Sequence, residues 1–123
     1  MCRMLLSINP QFVEKIIDGS KVYEFRKFRC KPEIKKVVIY VTAPYKKVVA
    51  EADICEVLED EPLMIWKRTK AYSGINYVYF RKYYKGKKKA YAYHLKNVIV
   101  YENPLELKNF GVNYVPQSFC YID

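Results

Sequence analysis

The segment KVVAEADICEVLE, residues 47–59, alternates clearly between apolar and polar side chains. Val48, Ala50, Ala52, Ile54 and Leu58 share one face, and Glu51, Asp53 and Cys55 share the other, which is the period of a half-buried strand. Further strand-like stretches surround it: RMLLSI (3–8), KVYEFRKF (21–28), KKVVIYVTAP (35–44, closed by Pro44), KKAYAYHLKNVIVYE (88–102, one strand or two) and PQSFCYI (116–122). Helices are expected between them. In NPQFVEKIIDG (9–19), Asn9 caps, Pro10 suits the first turn and Gly19 the stop, while Phe12, Val13, Ile16 and Ile17 make one apolar face. DEPLMIWKRTKAYSG (60–74) is entered through Pro62 and left at Gly74, and NYVYFRKYYKG (76–86) is capped by Asn76 and stopped at Gly86. NPLELKNFG (103–111) repeats the Asn-Pro opening and glycine stop of the first helix. Strands outnumber helices, and the helices interrupt them irregularly. That pattern argues against a parallel doubly wound sheet and for an α+β fold: a mixed, strongly curved sheet or small barrel with helices packed over its openings.

The 123 residues suit one domain, 1–123, and 51% hydrophobic residues suffice for a core without staples. No repeat or linker interrupts it. The 22 Lys+Arg against 13 Asp+Glu leave a net charge of +9, which points to an anionic partner, nucleic acid first. A membrane surface fits less well without a long basic amphipathic helix. No run of about 18 apolar residues is present to span a bilayer, and the apolar run near the start is too short for a signal peptide, so the expected location is cytoplasmic. Cys2, Cys30, Cys55 and Cys120 form no C-x-x-C pair, and His94 is the single histidine. Reduced thiols acting as small apolar residues are expected, with no metal centre and no cofactor. One histidine leaves little room for a Ser-His-Asp or Cys-His system, and His94 reads as structural or exposed.

The stretch GSKVYEFRK, residues 19–27, carries Lys21, Glu24 and Arg26 around Tyr23 and Phe25. Alternation puts Glu24 and Arg26 on one strand face; Lys21, close to the turn at Gly19, is not fixed in direction. The pattern alone favours a solvated face with weak ion pairs over a pocket that binds something polar. However, Gly19-x-Lys21-x-x-Glu24-x-Arg26 matches the G-x-K-x-x-E-x-R signature of the ASCH domain of the PUA-like superfamily. LLSINPQFVEKIIDGSKVYEFRK resembles the first strand, helix and second strand of that group, YVTAP its third strand, and PQSFCYI the closing strand of a subgroup of predicted regulators. The resemblance implies a small PUA-like β-barrel with a cleft beside the signature that takes RNA or a modified nucleoside or nucleotide. Lys21, Glu24 and Arg26 carry over as cleft residues. Ser7, Tyr40, Thr42, Gln117 and Ser118, near strand ends, are expected to complete the lining. Lys and Arg supply donors and positive charge, and a carboxylate accepts from the amino edge of a base.

The acetylcytidine amidohydrolases are similar in the G-x-K segment but place a threonine nucleophile where Glu24 stands, so no catalytic residue is assigned. A cation-paired Glu24 suits orienting a ligand better than abstracting a proton. RKYYKGKKK (81–89) adds Arg81, Lys82, Lys85, Lys87, Lys88 and Lys89, with Tyr83 and Tyr84 between. It reads equally as a nucleic-acid surface and as a lysine-rich turn whose tyrosines face the core. A second basic set, Arg29, Lys31, Lys35 and Lys36, follows the signature strand. The expected function is RNA or nucleotide binding through the cationic cleft, in regulation or RNA processing. The alternatives are a nucleoside amidohydrolase or ribonuclease of the same fold, and a module whose positive surface meets a separate protein partner.

Overall fold

In the computed structural model, which describes residues 2–123, six strands form one sheet in the order β2-β5-β4-β3-β1-β6. The strands are β1 (Arg3–Ile8), β2 (Tyr23–Arg26), β3 (Lys36–Val41), β4 (Lys47–Asp60), β5 (Ala90–Leu105) and β6 (Phe119–Ile122). The helices are α1 (Pro10–Asp18), α2 (Pro62–Thr69) and α3 (Tyr77–Tyr83), with short 3-10 turns at Lys70–Tyr72 and Leu107–Phe110. Only β1 and β3 pair in parallel; every other pairing is antiparallel.

The two parallel strands are apolar along both faces because both are covered. Met4, Leu6 and Ile8 with Val37, Ile39 and Val41 face the main core, where Val13 and Ile16 of α1 join them. Leu5, Val38 and Tyr40 face a second cluster closed by Val112 and Ile122. A third cluster, built on Phe25, Leu58 and Ala92, is covered by Ile65 of α2, by Phe80 of α3 and by Tyr84 at the end of α3. The β4–β5 ribbon slips register between Val48 and Ala50, between Glu51 and Asp53, and between Ile54 and Glu56. Such bulges bend a ribbon and increase its twist. The sheet therefore curls into a half-barrel, and the α+β expectation of a mixed barrel with helices over its openings holds.

Side chains, rather than a backbone ladder, bring the edge strands β2 and β6 together. Phe28 stacks on Phe119 with centroids 4.2 Å apart and planes 17° from parallel. Next to this stack, Arg26 reaches from β2 to Ser118. At the other side of the closing strand, Arg3 lies opposite Ile122 in the β1–β6 register and donates to the main-chain oxygen of Asp123 at 2.6 Å.

One expected helix is absent. Residues 103–105 continue β5, and only Leu107–Phe110 turns helically. Pro104 is tolerated there because β2 pairs only with Tyr91–His94, so that side of β5 has no ladder for proline to break.

Candidate functional site

Gly19 ends α1 in the left-handed conformation, φ 87°, and its N–H donates to Ile16 O. The chain then turns straight into β2. Lys21 N–H donates back to Lys15 O at 3.0 Å, and Val22 N–H donates to Tyr72 O at 3.0 Å. This lays the Lys21 side chain beneath the loop before α3. Its Nζ donates to Ser73 O at 2.6 Å and sits 4.8 Å from the Phe25 ring centroid and 5.6 Å from that of Phe12. The loop comes this close because residue 74 is glycine: a Cβ there would lie 2.5 Å from Lys21 Cβ.

Glu24 pairs across the ladder with Tyr93, a main-core residue, so Glu24 and Arg26 point into the curl, while Phe25, opposite Ala92, points to α3. The relative exposures of Lys21, Glu24 and Arg26 are 2%, 7% and 8%. The solvated-face reading is thereby overturned. The bent ribbon turns this face inward, and the charges tolerate burial because they satisfy one another.

Arg26 spends all its donors on the protein. Nε and Nη2 donate to Glu24 Oε2 at 3.1 and 2.8 Å, Nη2 also to Ser7 O at 3.0 Å, and Nη1 to Ser118 O and Oγ at 3.3 and 3.0 Å. It is a clamp joining β1, β2 and the segment before β6. Among the described residues Glu24 Oε1 makes no hydrogen bond, and Lys21 Nζ lies 3.9 Å from it. No buried side-chain polar atom among the described residues lacks a partner, so Oε1 opens to solvent in the cleft. Burial pulls the Lys21 amine down to about 8 from 10.5; Glu24 opposes the shift, and Lys15 and Arg26 add to it. An acceptor and a readily titrated donor therefore stand side by side.

The cleft measures about 130 Å³ and is lined by Ser7, Ile8, Asn9, Phe12, Lys21, Glu24, Phe25, Arg26, Ile75, Tyr79 and Tyr83. A cavity of about 150 Å³ admits benzene, so this is space for one aromatic ring. The α3 helix supplies one wall. Asn76 Oδ1 accepts from Tyr79 N–H at 2.8 Å at its start, and residues four apart, Tyr79 and Tyr83, share the cleft face. Phe12 of α1 meets Tyr79 edge-on at 5.5 Å. Lys27 lies 4.4 Å from the Tyr83 ring centroid, and burial pushes the Tyr83 hydroxyl above its ordinary pKa.

A family model described as "Domain of unknown function (DUF365)" matches residues 5–117. The crystal structure of ASCH from Zymomonas mobilis superposes with a TM-score of 0.89 and 26% identity, covering 98% of this chain and 87% of that one. The chain belongs to the DUF365 family and is an ASCH domain. An ASCH domain-containing ribonuclease of Zymomonas mobilis is 28% identical over 96% of this chain and 82% of its own length. Two Ureaplasma parvum proteins match over 97% of this chain: ATP synthase subunit alpha at 29% identity and large ribosomal subunit protein uL22 at 31%. The chain spans only 15% and 39% of their respective lengths.

Within this ASCH domain the three signature residues converge, and Ser7 lines the cleft with them. Ser118 stands behind it as an acceptor for Arg26. Thr42 also stands behind, its Oγ1 donating to Asn9 Oδ1 at 3.2 Å. Tyr40 does not reach the cleft: it is buried on the opposite face of β3 with Leu5 and Val48. Gln117 is exposed and outside the lining. In the basic turn, Arg81, Lys82, Lys85, Lys87 and Lys88 are exposed, while Lys89 is held by Glu59 at 2.7 Å. Tyr84 is buried, its hydroxyl donating to Arg26 O at 2.7 Å. In the second set, Arg29 pairs with Glu59, and Lys36 pairs with Glu51 and Asp53. Cleft residues that the sequence reading did not reach are Ile8, Asn9, Phe12, Phe25, Ile75 and Tyr79, of which Phe12 and Tyr79 meet only through the packing of α1 against α3. Among the described residues no helix is long and apolar enough to cross a membrane.

Proposed function

We propose that this ASCH domain binds single-stranded RNA by admitting one unpaired base to the cleft. The observation that carries the reading is the ring-sized, aromatic-walled cavity with Glu24 Oε1 and Lys21 Nζ side by side on its wall, 3.9 Å apart. Every base edge offers neighbouring donors and acceptors, and unpaired bases are recognised by stacking plus edge hydrogen bonds. The net charge of +9 and the exposed cations of the 81–88 segment supply the attraction for the backbone. The named activity of the Zymomonas relative, a ribonuclease, supports RNA as the polymer. Arg26 holds the wall in place rather than the ligand.

The test is binding of a labelled single-stranded RNA and its duplex to the wild type and to Glu24→Gln and Lys21→Met, each checked for folding by circular dichroism. The single strand is expected to bind more tightly, with at least a tenfold loss in either variant. Binding by both variants as tight as the wild type's would remove the cleft from the interaction.

A second reading, RNA cleavage, rests on the Lys21 amine, which at about 8 exchanges a proton near neutral pH. Scission lost in Lys21→Met with binding retained would select it. With glutamate at position 24 in place of the amidohydrolase threonine, incubation with acetylcytidine is expected to release no cytidine. Release that disappears in Glu24→Gln would place the domain among the amidohydrolases.

A further inference from the structure

The α3 helix has two working sides. Tyr79 and Tyr83 face the cleft, and the opposite side forms, with the start of α2, a groove of about 700 Å³. Its floor holds Leu63, Tyr77 and Val78, which are 51%, 41% and 74% exposed, and Tyr77 is propped by Trp66 at 5.4 Å. The charged residues of its lining are all basic: Arg81, Lys82, Lys85 and Lys87. None of the four is in an ion pair among the described residues. An apolar floor left open beside free cations has no role in the fold described above.

We infer that this groove is a second subsite for the same single-stranded RNA whose base enters the cleft, with the strand crossing α3 so that a neighbouring base stacks on Tyr77 between Leu63 and Val78. The inference rests on the base-binding reading of the cleft. Charge sets the direction of the backbone. Every cation of the lining lies on α3 or just after it and none on α2, so phosphates run along the α3 side, over Lys82 and Lys85. Stacking on an aromatic floor beside a basic track is how unpaired strands are held without base-specific contacts, each stacked base contributing about 1–3 kcal/mol. A helix about 10 Å across separates the subsites, so a mononucleotide fills the cleft alone and only an oligonucleotide reaches both.

The experiment compares uridine monophosphate with an eight-residue oligouridylate, on the wild type, Val78→Glu and Leu63→Glu. Both positions are exposed enough for the fold to survive, and each variant is checked by its melting curve. The octamer is expected to bind the wild type at least tenfold more tightly than the monophosphate. Each variant is expected to lose most of that gain while its affinity for the monophosphate stays within twofold. An octamer no tighter than the monophosphate, or one that both variants bind as tightly as the wild type does, overturns the second subsite and leaves the cleft reading standing. If neither ligand binds the wild type, the cleft reading falls and the groove inference falls with it. An acidic amphipathic peptide that binds the wild type and is lost in Val78→Glu, with octamer binding unchanged, would assign the groove to a protein partner and overturn the inference.

Discussion

Lys21 is a lysine that the folded chain would rather hold neutral, and this has a measurable sign. Burial lowers its amine to about 8, whereas the unfolded chain keeps the ordinary value of 10.5. Between these values the unfolded state binds more protons, so this residue makes stability rise with pH. At pH 7 both states carry the proton and nothing is gained. By pH 9 the folded amine is mostly neutral and the unfolded one still charged, which is worth about 1 kcal/mol, on the way to roughly 3 kcal/mol when the window is fully crossed. Burial raises the Cys30 and Cys120 thiols, which pull the other way as pH climbs past their unfolded values, but both persist in Lys21→Met. The difference between wild type and Lys21→Met therefore isolates the amine. Urea unfolding at pH 7, 8 and 9 should show that difference moving in favour of the wild type by about 1 kcal/mol. A difference that stays constant across the series, or moves the other way, would refute the buried amine. RNA binding should run opposite to stability, weakening as pH rises through 8, because the ammonium is the stronger hydrogen-bond donor to the base edge.

Arg26→Ala should cost about 3–5 kcal/mol in urea unfolding, because it strands the buried Glu24 carboxylate and unlatches β2 from β1 and β6. Arg26→Lys should recover less than half of that, since one ammonium cannot span the guanidinium's acceptors. Gly74→Ala should lower stability by about 1–3 kcal/mol and weaken RNA binding as well: φ there is 70°, and the added methyl meets Lys21. Replacing Lys85, Lys87 and Lys88 by glutamine should flatten the salt dependence of RNA binding by roughly 0.7 units of slope per lost phosphate contact, whereas adding Lys89→Gln should change the slope little, because Glu59 already holds that lysine.

The signature stretch was legible as to direction and not as to depth. Strand alternation placed Glu24 and Arg26 on one side, and they share it. Charged residues at alternate positions ordinarily mean water, and only the bulges in β4 and β5, which have no strong sequence mark, turn that face inward. Tyr40 shows the converse difficulty. It lies in a continuous apolar run, which carries no alternation and so does not say which side chain meets which core. The Asn-Pro pair at 103–104 imitated the start of α1 because the same dipeptide opens a helix or sits on an unpaired strand margin, and pairing with distant residues decides between them. Phe12 and Tyr79 carry clear helical positions, yet their meeting across the cleft depends on tertiary packing between α1 and α3.

The pairing of β1 with β6 has a consequence for how the domain can be used. Arg3 stands opposite Ile122 and grips the backbone at Asp123, so the chain enters and leaves side by side. A loop of another protein could be opened and this domain set into it with the two cut ends barely parted, and a circularly permuted version of the domain would need only a short linker between residues 3 and 123. New ends for such a permutant would go at the exposed 86–88 turn, away from the clamp and from the cleft.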